Sequence, residues 1–317
     1  MGDYFDRRNL NEFVAQMGIP RGPKSKAYLV DTENGDDDHY GRSWDKPLKT
    51  LAEAEDRCVE DRHDTVLFLA RATADSVAAA IVWDKDYTHL IGVGSYLPGV
   101  GNRSRVVGDA TVDPLQVITF SGTGSIVRNM QFNNESDLAQ DSGAAVITAN
   151  RCEFTNVYFA GMTSTTPGAR AGAFSLKLTG AHENYFQDCT IGTDGALRAS
   201  TNAELITEVG SSKNTFRRVK FMSQSKTAGK FLVHVLTSTT PQGINYYEDC
   251  SFYNNWENWG GELAYAFNVT GAQATYYIDI VNPRLVGVAK ISNVNTHFYL
   301  QSAAAEANAG IRGTPTA

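Results

Sequence analysis

Cleavage of a glycosidic bond needs two carboxyl groups roughly 5 to 9.5 Å apart in a groove, and the sequence offers Glu153, Glu183, Asp188, Glu204 and Asp249. Asp188 and Asp249 occupy matching places in two copies of a short pattern, but the copy between them carries Arg218 there. A column of acid, base and acid is what charge pairing between neighbouring strands produces. These groups are therefore assigned to structure, and no catalytic residue is expected. "NGDDDH" brings Asp36, Asp37 and Asp38 together as hard oxygen donors. It lacks the spaced acids and distal Glu of a calcium loop, so it reads as a solvated turn and no metal or other cofactor is expected. His39, His63, His89, His182, His234 and His297 are scattered, with no nucleophile at an informative spacing. Trp256 and Trp259, three apart in a loop rich in Asn and Gly, have faces that stack on sugar rings or anchor a protein interface. The interface is the favoured use.

The elements that would position these groups follow from an internal repeat. "NYFQDCTI" from Asn184, "NTFRRVKF" from Asn214 and "NYYEDCSF" from Asn245 align without gaps, their starts 30 and 31 residues apart. Shorter copies are read at "NMQF" ending at Phe132, "RCEF" ending at Phe154 and "NPRL" ending at Leu285. Short alternating stretches recurring at about this period predict a parallel β-helix, each coil burying its apolar face on the next. Cys152, Cys189 and Cys250 are expected at equivalent inward positions as free thiols. Asn184, Asn214 and Asn245 are expected to form a ladder at a turn, taking left-handed backbone angles and bonding from coil to coil.

A solenoid needs its end covered. "TLAEAEDRCVEDR", from Thr50, supplies a helix: Thr50 and Glu53 form a capping-box signature, and Leu51, Ala54 and Cys58 an apolar stripe beside Glu55. "DTVLFLA", residues 64–70, reads as the first buried strand. The divisions expected are an anchoring arm over 1–27, a turn and capping helix over 28–63, the β-helix over 64–300 and a tail over 301–317.

The pattern Gly35, Gly41, Ser43, Pro47, Thr50, Leu51 and Ala54, preceded by "YLVDTENGDDD", resembles the opening segment of pectate-lyase-like right-handed β-helix proteins. "VWDKDYTHLIGVGS" and "ARAGAFSLKLTGAHENYFQDCTIGTDGALRASTNAEL" are similar to segments of β-helix proteins of tailed bacteriophages. The resemblance implies an all-β, single-stranded right-handed solenoid and a virion structural protein. Its expected role is non-enzymatic: a homotrimeric capsid decoration or cement protein on the major capsid protein. A tailspike or fibre that binds or cleaves host polysaccharide is the alternative. Phe5, Leu10, Phe13 and Met17 of the arm are the expected partner contacts.

Composition agrees with a large globular chain of 317 residues, 42% hydrophobic, with a mean hydropathy of -0.29. A net charge of -7 gives no basic field, so nucleic acid is not expected as a partner. No apolar run reaches the length of a membrane span, and the first residues do not read as a secretion signal. A virion protein made in the host cytoplasm is the expected location.

Overall fold

The aromatic residues of the repeat stack in register. In the computed structural model, Phe154 pairs with Phe186, Phe186 with Phe216 and Phe216 with Tyr247 on successive parallel strands. Their rings lie 4.9, 4.7 and 4.7 Å apart and nearly parallel, the spacing of hydrogen-bonded strands. The structure describes residues 10–94, 104–112, 114–137, 140–225, 231–237, 243–255, 262–271, 276–294 and 298–301.

Three parallel sheets result. Among the described residues the first holds ten strands, from Ala27–Val30 to Phe298–Gln301, and the second eight, from Asp75–Val77 to Arg284–Val286. The third also holds eight, from Ile81–Trp83 to Val288–Ser292. After the opening pair Ala27–Val30 and Thr65–Leu69 the chain visits the sheets in turn, so each later strand pairs with the one three along in sequence. That is a β-solenoid, as the repeat predicts.

From strand Ile126–Arg128 onward, each turn from the first sheet to the second passes one left-handed residue: Asn129, Asn156, Asp188, Arg218, Asp249 and Asn282, with φ from 49° to 57°. Asn and Asp tolerate this region best. The corner side chains also bond from coil to coil. Asn156 Nδ2 donates to Asn129 Oδ1 at 2.9 Å, Arg218 clasps Asp188 through two bonds of 2.7 and 2.8 Å, and Asn282 Nδ2 donates to Asp249 Oδ1 at 3.2 Å.

The asparagine ladder forms with one correction. Asn184, Asn214 and Asn245 are buried and point inward. The backbone N–H and Nδ2 of Asn184 both donate to Asn214 Oδ1, at 3.1 Å each. Those of Asn214 donate to Asn245 Oδ1, at 2.8 and 3.2 Å. The left-handed residues, however, are Glu183 and Lys213, one place earlier. For Asn184 and Asn214 the bend that turns the side chain inward is made by the preceding residue, while before Asn245 the positive φ falls on Gly243.

The cysteines need a second correction. Cys189 and Cys250 do occupy equivalent inward places, with Val219 between them. Cys152 does not. Because Phe154 pairs with Phe186 and not with Ile191, Cys152 lies level with Asn184, whose Oδ1 accepts its N–H at 2.9 Å. The coil's true copy of the second motif is "NVYF", whose Phe159 pairs with Ile191.

The solenoid begins earlier than the first strand read from sequence. Ala27–Val30 pairs in parallel with Thr65–Leu69, and residues 31–64 leave and rejoin the coil. Helix Leu51–Arg57 lies in that excursion. Leu51, Ala54 and Cys58 join the same buried cluster as the aromatic column, at the end where the second and third sheets have yet to begin. Thr50 accepts the Glu53 N–H at 3.2 Å, so half of the capping box forms. Glu53 turns instead to Arg57 at 2.6 Å, and the Thr50 N–H goes to Asp37 Oδ1 at 3.0 Å. Gly35 is required in this loop: a Cβ there would lie 2.1 Å from the Leu48 carbonyl oxygen.

Asp75, buried, accepts the Leu51 N–H at 2.7 Å. Burial pushes its carboxyl up to about 6, with a further push from Asp37. A folded-state pKa above the unfolded value means that stability is full at low pH and lost as pH rises through about 6. Asp75→Asn keeps an oxygen for Leu51 and removes the charge. The variant should match the parent near pH 4 and exceed it by on the order of 2 kcal/mol at pH 8, read from urea midpoints at the two pH values.

Candidate functional site

The outward face of the first sheet is where unlike side chains gather, because strand alternation sends every second residue away from the core. One register column on this face runs from Ala27 through Thr65, His89, Ile126, Glu153, Tyr185, Thr215, Tyr246 and Asp279 to Tyr299. Its two ends differ in character, and the middle is ionic.

At the N-terminal end the face is covered by its own chain. Helix Leu10–Gln16 buries Leu10 and Val14 against Ala27, Leu29, Leu67 and Ile91, with Phe13, Met17 and Trp44 half-buried around them. Phe13 meets Trp44 edge to face at 5.8 Å. Of the arm residues expected to meet a partner, Leu10 is therefore sealed against this chain, while Phe13 and Met17 keep part of their surface open. Phe5 lies outside the described residues, as do Trp256 and Trp259.

Beside this cover the sheet holds a pair that sequence reading missed. His63 and His89 are 26 residues apart yet meet at 3.1 Å, Nδ1 to Nε2. His89 Nδ1 accepts the Ile126 N–H at 3.2 Å, so its Nε2 carries the proton and donates to His63. Burial and the neighbouring His63 push His89 down to about 4. Only the pairing of Thr65–Leu69 with His89–Val93 brings the two together.

In the middle, the candidate carboxylates are committed to cations of adjacent coils. Glu153 takes Arg128 at 2.8 Å; Glu183 takes Arg151 at 2.8 Å and Lys213 at 3.4 Å; Asp188 takes Arg218. Asp249 accepts from Asn282 instead of completing the acid–base–acid column. Glu204 is elsewhere, fully buried against Arg198. Asp37 spends both oxygens on Lys49 N, Thr50 N and Thr50 Oγ1 at 2.8 to 3.0 Å, and Asp36 accepts the Asp38 N–H at 3.0 Å. These acids knit the turn together. Among the described residues, no three His, Cys, Asp or Glu side chains are grouped to hold a metal ion.

All four cysteines are buried and free. Burial pushes Cys152 up to about 11, and Cys189 and Cys250 up to about 12. Their thiols donate inward, Cys189 to the Phe154 carbonyl at 3.3 Å and Cys250 to the Phe216 carbonyl at 3.2 Å. A thiol reagent acts on the thiolate, so the native chain should stay unlabelled at pH 8 for as long as it stays folded. Titration in denaturant should then release four thiols per chain. A fast native thiol would place a cysteine at the surface.

At the C-terminal end lies an open groove of about 370 Å³, lined by Thr215, Tyr246, Tyr247, Glu248, Asp279 and Val281. Tyr246 is 40% exposed. Glu248 faces Arg217 at 3.4 Å. Asp279 is half-buried, its Oδ1 is shielded and has no hydrogen-bond partner, and burial raises its carboxyl above the usual range. Sequence spacing does not single out Asp279, because strand Tyr276–Val281 lacks the repeat's signature.

The fold is that of the pectate-lyase-like β-helix proteins anticipated from the opening motif. The chain is similar to the deglycosylated pectin methylesterase of Aspergillus niger, at 12% identity and a TM-score of 0.50, over 93% of this chain and 96% of that one. It also aligns with ORF18 of Geobacillus virus E2 at 12% identity and a TM-score of 0.43, over 92% of this chain and 63% of that one. A third alignment is with the Dettilon tailspike protein, at 8% identity and a TM-score of 0.34, over 79% and 56%. At such identities the likeness is one of fold. No family profile matches the chain, and no curated protein matches it in sequence.

Proposed function

We propose that the chain is a non-enzymatic structural protein of a tailed-bacteriophage particle, a decoration or cement protein that clamps the capsid lattice. The observation that carries this reading is the use made of the outward carboxylates. Glu153, Glu183 and Asp188 are tied to arginine or lysine of neighbouring coils, which stiffens a rod rather than preparing an acid and a base. The phage assignment rests on the segments "VWDKDYTHLIGVGS" and "ARAGAFSLKLTGAHENYFQDCTIGTDGALRASTNAEL". Homotrimer formation is carried over from the habit of phage β-helices.

A clamp needs no reactive group. It binds the assembled shell in preference to the ruptured one and so raises the cost of rupture by mass action, in proportion to the interface it buries. The test is made on particles. Gold-labelled antibody against the chain should decorate the capsid, and particles lacking the chain should rupture at lower temperature and regain the parent value when it is added back. Label confined to the tail tip, with new reducing or unsaturated ends after incubation with host surface glycan, would replace the clamp by a spike.

A further inference from the structure

The solenoid supplies a cation to nearly every acid it buries. Asp31 has Arg71, Glu55 has Lys85, Asp64 has Arg62 and Glu204 has Arg198. Asp75, which has none, gives its Oδ2 to the Leu51 N–H. Asp279 breaks the rule. Among the described residues it alone has a shielded carboxylate oxygen without a hydrogen-bond partner.

The surroundings indicate what is missing. Asp279 and Tyr246 are register partners on adjacent strands, and Thr215 is the next residue in the same column. Their chain neighbours Tyr247, Ile280 and Phe216 are buried in the core, so alternation places all three on the outer face. The nearby cation, Arg217, is turned to Glu248. The groove therefore offers an uncompensated carboxylate, an exposed tyrosine ring and the apolar Val281 side by side.

We propose that this groove is a socket for a lysine or arginine side chain presented by a partner protein. The charged head would donate to Asp279, with the energy of a charge-assisted bond. The aliphatic stem would lie along Tyr246 and Val281, as such stems do on apolar surface, and the ring face adds attraction for the cation. A neutral sugar also stacks on tyrosine, but its hydroxyls leave the carboxylate charge unneutralised. The socket goes beyond the particle assignment and does not depend on it, since it needs only a basic side chain on a neighbouring surface.

The full-length chain, titrated with N-acetyl-arginine amide and N-acetyl-lysine amide at low salt, tests this directly. Tyr246 ring resonances, assigned through Tyr246→Leu, should shift saturably with both probes and stay fixed with N-acetyl-norleucine amide, which has the stem but no charge. Asp279→Asn should weaken binding at least fivefold with the fold unchanged by circular dichroism, and 0.3 M salt should weaken it in the parent. Tyr246→Leu, altered at an exposed site, should also bind more weakly when followed by calorimetry. Equal response to the norleucine probe, or undiminished binding by Asp279→Asn, would overturn the socket. So would binding of a neutral oligosaccharide in the groove without any response to the cationic probes. None of these outcomes bears on where the chain sits in a particle, so the two readings fail separately.

Discussion

Arg198→Met should destabilise the fold by about 3–5 kcal/mol, the cost of leaving one member of a buried ion pair without the other. Arg198 and Glu204 are 1% and 0% exposed, joined at 2.8 Å. Ser175 donates to the other Glu204 oxygen at 2.7 Å, and Arg198 also donates to Asn202 Oδ1 at 2.7 Å and to the Phe231 carbonyl at 3.0 Å. Methionine fills much of the volume and offers no donor. Burial already pushes the Glu204 carboxyl up, against the pull of Arg198 and Ser175. Without the arginine that rise grows, so the variant should fold with Glu204 protonated. Its deficit should then widen as pH rises, because a raised folded-state pKa contributes stability at low pH and loses it at high pH. Urea unfolding at pH 5 and pH 8 reads both effects. Arg198→Met with Glu204→Leu should recover most of the loss at either pH, since the pair together is nearly neutral when replaced by apolar groups. A single variant as stable as the parent at pH 8 would mean that water reaches Glu204.

Asn214→Leu is expected to cost about 2–6 kcal/mol, because four buried polar groups each lose a hydrogen bond worth about 0.5–1.5 kcal/mol. Asn214 Oδ1 accepts both donors of Asn184, and its Nδ2 serves the Ala181 carbonyl at 2.9 Å and Asn245 Oδ1. Leucine is close in size, so the loss is of hydrogen bonds and not of packing. The damage should also spread along the rod. Amide exchange should quicken at Asn184 and at position 214, on two of the three coils that share the ladder, while Val66 and Leu90 near the N-terminal end stay protected. Uniform loss of protection would show that the solenoid opens only as a whole.

The repeat was legible because Phe186, Phe216 and Tyr247 recur with an Asn two places before and a bend two places after. Where a coil carries aromatic residues on two of its strands, a four-residue fragment fits either one. "RCEF" was matched to the wrong strand for that reason, and Cys152 with it. The strand Ala27–Val30 was passed over because a long loop and a helix separate it from its partner. The pairing of Asp188 with Arg218 follows from the Arg218 visible between the two acids in sequence, whereas Asp249 accepts from Asn282 instead. His63 with His89, and Tyr246 with Asp279, become neighbours only once the stacking register is known. Their 26- and 33-residue separations match no motif.

The corners have one more consequence. Since Asp188 and Arg218 turn the chain through the same left-handed step, the rod behaves as a ruler graduated in whole turns. Excising residues 189–218 would set Phe186 on Tyr247 and Asn184 on Asn245, each meeting the kind of neighbour it had before. The ruler would shorten by one graduation of about 4.8 Å, and evolution can lengthen it in the same increments without redrawing its cross-section.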